Sequence, residues 1–511
     1  MTERPPLTGS RLALMTISLS LAIFMNVLDV SIANVAIPTI AGDLGVSPDN
    51  GTWVITSFAV SQAIMLPLTG WLAKRFGEVR LFLFSTALFT IASVLCGLSI
   101  NLEMLVFFRV IQGAVSGPMI PLSQSILLAN YPPEKRGLAT GIWAMTAVVG
   151  PIFGPIMGGV ITDNYTWPWI FYINVPVGIF SVIFTMITLS GRETPITKLP
   201  IDYIGLVLLC IGIGCLQVLL DKGNDLDWFK SEFILTLAII STVTLSFLII
   251  WLLTQEHPII DLYLFAHRNF TIGTIGLTLG FMVYFATVVI FPLWLQTQMG
   301  YTPTWAGLAV APVGVLPFFL TPIVGNYMGK FDLRIIISLG FIVFVLTCLW
   351  QSTFYTEVGF IQLITPRFIQ GIALAFFFTP LIALILADLP PERLASALGL
   401  GNFFRILGGS FGTSISVTIW NHREALHQSH LVEQITAYNP LVQQAIDHLH
   451  SLGISGLKSF GLLYTQIINQ AYMLATNDIF RLSAWIFMIL LAMIWLAEPT
   501  YARTSGSIAA E

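Results

Sequence analysis

Charge is scarce in this chain. Only 9% of its 511 residues are Asp, Glu, Lys or Arg, where a soluble domain carries about 25%. Hydrophobic residues make up 56% and the mean hydropathy is +0.85, which excludes a water-soluble globule and predicts a polytopic membrane protein. A net charge of −4 offers no basic surface for nucleic acid. Cysteine is also sparse: Cys96, Cys210, Cys215 and Cys348 all lie in apolar runs, where they read as small hydrophobes rather than disulfide or metal partners. No Gly-rich phosphate loop precedes a helix and no soluble nucleotide domain is present, which argues against a pump driven by ATP. An integral-membrane enzyme would need paired acids or a His and carboxylate cluster in the bilayer, and neither is found.

What the chain has in abundance is apolar runs of about 20 residues or more, the length that crosses a bilayer as a helix. They fall near 12–37, 52–73, 80–100, 103–128, 138–162 and 169–190, then near 203–221 and 232–254. A further set falls near 270–296, 304–328, 333–353, 360–387, 396–420 and 478–497. The total is fourteen spans. The first contains Asp29 and lacks a small-residue cleavage site, so it reads as a span rather than a signal peptide. With the N-terminus in the cytoplasm, fourteen Lys and Arg fall inside and five outside, which predicts that both termini are cytoplasmic.

The chain repeats itself. Arg109, Gln112 and Gly113 return as Arg367, Gln370 and Gly371, Pro132-Pro133-Glu134 as Pro390-Pro391-Glu392, and Gly141 as Gly399. At the same offset Gly150 and Gly154 meet Gly408 and Gly412, while Pro38, Pro67 and Gly70 have near-matching partners in Pro292, Pro322 and Gly325. The predicted organisation is a six-helix half over 1–190, a linker with two extra spans over 191–268, and a second six-helix half over 269–511 with an outer loop at 421–477. Internal repeats of this kind are typical of transporters, in which one half rocks against the other around a central site.

An ionisable side chain in a span costs roughly 2.5–3.5 kcal/mol on insertion scales, so each should face the bundle interior or a cavity. Away from the span ends there are four: Asp29, Arg109, Arg367 and Arg405. Arginine stays charged, which leaves Asp29 as the group able to cycle, because burial disfavours a carboxylate while a nearby cation favours it. The repeat sets Val283 or Tyr284 opposite Asp29, so the acid breaks a symmetry that Arg109 and Arg367 keep. That asymmetry suits a coupling site in the first half. The alternatives are a static interhelical pair for Asp29 and charges satisfied by backbone carbonyls for the arginines. Asn34, Gln112, Gln370, Asn402 and Arg405 are polar candidates for a cavity wall that is otherwise apolar and aromatic, unless they merely bond between helices.

On a helix, Gly150, Gly154 and Gly158 form one smooth stripe for close packing, and Pro155 adds a kink. Gly-x-x-x-Gly-Pro-x-x-Gly-Gly at Gly150 to Gly159, Arg-x-x-Gln-Gly at Arg109 to Gly113 and Leu28 to Pro38 resemble the fourteen-span drug:proton antiporters of the major facilitator superfamily. The likeness covers nearly the whole chain. It implies a major facilitator fold and a proton-driven exporter of lipophilic drugs and toxic compounds in the bacterial inner membrane, working by alternating access with no cofactor beyond the proton gradient. It also implies Asp29 and Arg109 as the proton-coupling pair. Gly150, Gly154, Pro155, Gly158 and Gly159 would be the antiporter motif, sealing the contact between the halves. In a Gram-negative organism the implied partners are a periplasmic adaptor and an outer-membrane channel. A proton-coupled metabolite symporter or exporter on the same fold is the rival reading, disfavoured by the antiporter motif.

Two further segments stand out. Gly70, Lys74, Arg75, Gly77 and Glu78 occupy the place of the superfamily's cytoplasmic gating loop, with Lys74 and Glu78 where the pattern has an acid followed by an arginine; a pair with swapped signs is one reading, an ordinary surface pair the other. Asn421 to Asn477 is too polar to span and carries His422, His427, His430, His448 and His450. With no acidic or Cys cluster to complete a metal site, its apolar spacing predicts short amphipathic helices that cap the protein or receive a periplasmic partner.

Overall fold

The structure is a computed structural model that describes residues 6–500 apart from 47, 133–134, 198–199, 201, 256–257, 391–392, 434, 437–438 and 452–455. The repeated Pro-Pro-Glu copies at Pro133-Glu134 and Pro391-Glu392 therefore lie outside the described residues. Among the described residues every regular element is helical, as expected where lipid offers no partner to an unpaired backbone group. Among the described residues twelve helices are long and apolar enough to cross a membrane. Two more, Arg136–Asn164 and Leu394–Glu433, carry the glycine-rich repeats.

Numbered in chain order, the first half is α1 (Gly9–Asp43), α2 (Trp53–Phe76), α3 (Glu78–Gly97), α4 (Leu102–Asn130), α5 (Arg136–Asn164) and α6 (Trp169–Thr188). The extra pair is α7 (Tyr203–Lys222) and α8 (Glu232–Thr254). The second half is α9 (Arg268–Thr297), α10 (Thr304–Tyr327), α11 (Leu333–Gln351), α12 (Phe360–Leu386), α13 (Leu394–Glu433) and α14 (Leu457–Met493). Polar side chains start several of them: Asn101 Oδ1 accepts from the Met104 N–H at 2.8 Å, and Asp202 Oδ1 from the Gly205 N–H at 2.9 Å. These bonds satisfy donors that a helix N-terminus leaves open.

The repeat in the sequence is a repeat in packing. Helix α1 lies on α5 and α6 as α9 lies on α13 and α14, and α2 lies on α4 as α10 lies on α12. The halves meet through the matching pairs α5 with α10 and α2 with α13. Glycines make both contacts close. A Cβ on Gly137 would strike the Gly325 carbonyl, one on Gly141 would stand 2.7 Å from the Thr321 carbonyl, and one on Gly70 would strike Ser396. Leu7 bonds the Asn130 carbonyl and Leu333 bonds the Thr500 carbonyl, which puts both described ends on one face of the bundle. The glycine contacts lie toward that same face, so the halves are shut there.

The antiporter stripe does something other than expected. A Cβ on Gly150 would meet Val27 and the Leu28 amide, and one on Gly154 would meet Ser31. All three are on α1, so the stripe packs inside the first half and does not seal the halves together; Gly137 and Gly141, earlier on α5, perform that role. Gly158 is buried, whereas a Cβ on Gly159 would meet nothing within 4 Å. The Pro155 side chain lies outside those described. In the second half Gly408 and Gly412 pack on Thr278 and Met282 of α9 in the same manner.

The outer segment also differs. Helix α13 runs on to Glu433 and α14 begins at Leu457, so most of 421–477 extends two membrane helices, with one short amphipathic helix, Pro440–Ser451, between them. Asp478 joins the extensions by accepting from Arg423 Nε at 2.7 Å and bonding His427 Nε2 at 2.7 Å. At the gating loop, Gly77 has φ +89°, a conformation suited to glycine. Among the described residues no ion pair joins Lys74 to Glu78: Glu78 turns inward and accepts from Ser125 Oγ at 3.0 Å. The linker holds the loop instead, with Glu193 accepting from the Val79 and Arg80 amides at 3.0 and 2.8 Å.

Candidate functional site

Asp29 and Arg109 are both fully buried and meet at 2.5 Å between α1 and α4. The stripe on α5 explains the register: Gly150 and Gly154 bring the α5 backbone onto Val27, Leu28 and Ser31, the residues flanking Asp29, and so hold the turn that presents it. Around the pair most polar groups are matched, although Arg109 Nη2 is buried with no hydrogen-bond partner among the described residues. Asp29 Oδ1 accepts from Asn174 Nδ2 at 2.7 Å and from Gln112 Nε2 at 3.1 Å, while Oδ2 takes Arg109 Nη1. Arg109 Nε donates to the Val54 carbonyl at 3.0 Å, Nη1 also to Gln112 Oε1 at 2.7 Å, and the guanidinium lies 4.3 Å from the Phe58 ring centre. Ser93 Oγ accepts from Gln112 Nε2 at 2.8 Å and Asn174 Nδ2 at 3.3 Å. Five helices of the first half, α1, α2, α3, α4 and α6, thus converge on one carboxylate.

A buried ion pair is neutral overall, and its cost of desolvation is offset by such additional hydrogen bonds. Arginine keeps its proton, so the group able to change charge is Asp29, and protonating it would leave Arg109 with a carbonyl, an amide oxygen and a ring face in place of a counter-ion.

The second half supplies the contrast. Arg367 is equally buried, but its Nη2 donates to the Thr287 carbonyl at 2.8 Å and Nη1 to Gln370 Oε1 at 3.0 Å. Phe291 covers it at 4.3 Å, as Phe58 covers Arg109. No carboxylate pairs with it among the described residues. Val283 and Tyr284 stand at the place of Asp29, so this half repeats the cation without the acid.

The polar residues assigned to a cavity wall divide. Gln112 and Gln370 are fully buried partners of the two arginines rather than lining groups, and Asn402 is buried with its amide on the Leu398 carbonyl at 2.9 Å. Arg405 is part-exposed, bonded to Asn402 Oδ1 at 3.1 Å and placed over Phe281 and Phe378 at 5.0 and 5.7 Å. Phe378 in turn lies 6.0 Å from Trp143 of the other half, which sets Arg405 beside an aromatic seam between the halves. The Asn34 side chain lies outside those described. Sequence reasoning missed Asn174 and Ser93. The amide of Asn174 inside Phe171-Tyr172-Ile173-Asn174-Val175-Pro176 was an available signal; Ser93, one of several hydroxyls on α3, gave none.

The family profile described as Major Facilitator Superfamily matches residues 19–413. The multidrug export protein EmrB of Escherichia coli K12 is 52% identical over 99% of this chain and 99% of its own length. The fatty acid resistance protein FarB of Neisseria gonorrhoeae is 48% identical, again covering 99% of each. Among solved structures, a double-tryptophan variant of XylE superposes with a TM-score of 0.59 over 96% of this chain and all of the other at 15% identity, a likeness of fold.

Proposed function

This chain belongs to the major facilitator superfamily, and from that premise we propose that it is a proton-coupled antiporter that exports lipophilic drugs and other toxic compounds. It is a multidrug efflux transporter and not an enzyme, on the strength of relatives such as EmrB that share about half of its residues end to end. The observation that carries the proton coupling is the buried Asp29 and Arg109 pair at 2.5 Å. The carboxylate alternates between an ion-paired state and a protonated state in which Arg109 is released to its remaining acceptors. A drug, or the movement it accompanies, must favour one of these states, because binding shifts such an equilibrium only by its differential affinity.

Alternating access then opens the central space between the halves to each side in turn, and the shut glycine contacts between α5 and α10 and between α2 and α13 are the gate on the side of the termini. The excess of Lys and Arg on that face supports cytoplasmic termini, and the EmrB-like relatives support placement in a bacterial inner membrane. Resemblance to those exporters supports a periplasmic adaptor and an outer-membrane channel as partners, with the extended α13 and α14 on the far face as the surface an adaptor would meet. The test is Asp29→Asn in proteoliposomes carrying a pH gradient. Drug binding should persist while uphill transport and drug-induced proton release are lost. Undiminished accumulation would remove Asp29 from the coupling role.

A further inference from the structure

The two extra helices are not spacers at the edge. Helix α8 is peripheral, with most of its length exposed, but α7 lies between the halves, against α2 of the first and α13 of the second. Its far end carries Gln217, Asp221 and Lys222, and sequence reasoning had not counted Asp221 among the intramembrane acids. Lys222, 8% exposed, donates to the hydroxyl of Thr52, the residue just before α2, and stands 5.6 Å from the Trp53 ring. The Thr56 hydroxyl of α2 also stands beside Asp221. On the other side, Gln217 Nε2 donates both to Asp221 Oδ1 at 3.1 Å and to Ser410 Oγ of α13 at 3.0 Å. Ser414 and Thr418 of α13 add bonds to the Leu220 carbonyl and to Trp228 Nε1, at 2.5 and 2.7 Å. One short polar cluster therefore ties both halves together on the face opposite the glycine gate.

A second observation points to what this cluster binds. Gln217 is 2% exposed, and its Oε1 is buried with no hydrogen-bond donor among the described residues. A carboxylate beside it has no proton to give; a carboxylic acid has one. We propose that Asp221 is a second proton-binding site, and that its protonation from the far side unfastens α7 from α13. The added proton on Asp221 is donated to Gln217 Oε1, which requires the amide to turn and withdraws Nε2 from Ser410. Lys222 loses one negative charge beside it, which raises the relative pull of Asp225, 3.7 Å away and half exposed, and weakens its hold at Thr52. The charged groups facing Asp221 are Lys222 and Asp225; α2, the residue before it and α13 present the hydroxyls of Thr52, Thr56 and Ser410 and the Trp53 ring. Proton binding at this end is thereby converted into freedom of the two halves to part or close.

Nitroxide labels at Asn50→Cys and Asn421→Cys, in full-length protein in nanodiscs with the native cysteines replaced, report the far-face separation of the halves by electron–electron double resonance. Between about pH 8 and about pH 5, a range wide enough to titrate a perturbed carboxylate, the wild-type distance distribution should shift. Asp221→Asn, whose amide donates to Gln217 Oε1 as the acid would, should hold the acidic distribution at both values. Asp29→Asn should still shift, since its titrating group is elsewhere. If Asp221→Asn is not recovered folded, Gln217→Ala removes the bridge to Ser410 and should also be held in the acidic distribution. No shift in the wild type, a normal shift in Asp221→Asn or Gln217→Ala, or loss of the shift in Asp29→Asn would each overturn the proposal. The proposed transport role of Asp29 fails separately, through undiminished uphill transport by Asp29→Asn.

Discussion

Gly137 on α5 and Gly325 on α10 face each other backbone to backbone: a Cβ on either residue would run into the carbonyl of the other. No side chain fits between them. Because the shut gate depends on this contact, Gly137→Leu and Gly325→Leu should favour states open on the side of the termini. Each should reduce transport by about tenfold or more, equivalent to about 1.4 kcal/mol or more, while a cysteine at Ser396 becomes more reactive from that side. Wild-type transport by both variants would show that the gate closes elsewhere.

Gly154→Leu tests a different contact. Its added side chain is driven into Ser31 of α1, two residues from Asp29, and should turn the acid away from Arg109. Insertion into the membrane should be retained, because α5 stays apolar, while proton-coupled transport is lost. Gly159→Ala, at a position with open space around its Cβ, should cost little beyond its effect on helix propensity. The expected order of activity is Gly159→Ala well above Gly154→Leu, read as dye efflux at equal abundance.

How far the site was legible in the sequence follows from what sequence encodes. Asp29 and Arg109 were visible because a charge in an apolar run is costly and must find a partner, and the repeat identified Arg367 as a cation lacking that partner. Periodicity gave the helices, but it does not say against which neighbour a glycine stripe packs. Gly150 and Gly154 were therefore assigned to the seam between halves when they lie on α1, and Gly137 and Gly141 went unassigned. The outer segment was misjudged for a related reason: its polarity showed that it leaves the bilayer, not that α13 and α14 continue through the boundary as unbroken helices. Asn174 was an available signal but a weak one, because an amide in a span is as often a structural bond as a functional one.

Asp332 offers a pH test away from the bilayer. Burial pushes its carboxyl up, but hydrogen bonds and charge from Arg334, with Arg334 Nη2 at 2.7 Å from Asp332 Oδ2, outweigh that and hold it below its ordinary value. A depressed carboxyl contributes stability that is fully present above its unfolded value of about 3.9 and is lost as pH falls through the lower folded value. Asp332→Asn should therefore lower the melting temperature at neutral pH, and the difference from wild type should shrink only at strongly acidic pH. A difference that vanishes already near pH 6 would assign the effect to another group.

Asn174 gives the most direct reading of the candidate site, because it touches the acid without carrying charge. Its Nδ2 donates to Asp29 Oδ1 at 2.7 Å, and a hydrogen bond to a charged group is worth about 1.5–3 kcal/mol. Asn174→Ala should destabilise the protein by roughly that amount and impair transport without abolishing drug binding. In Asp29→Ala the acceptor is gone, so removing Asn174 as well should cost much less than it does in the wild type. The resulting cycle should give a coupling energy of about 1 kcal/mol or more, as expected for residues sharing one network. Strict additivity would mean that Asn174 acts through Ser93 alone, to which it also donates at 3.3 Å, and would detach α6 from the proton site.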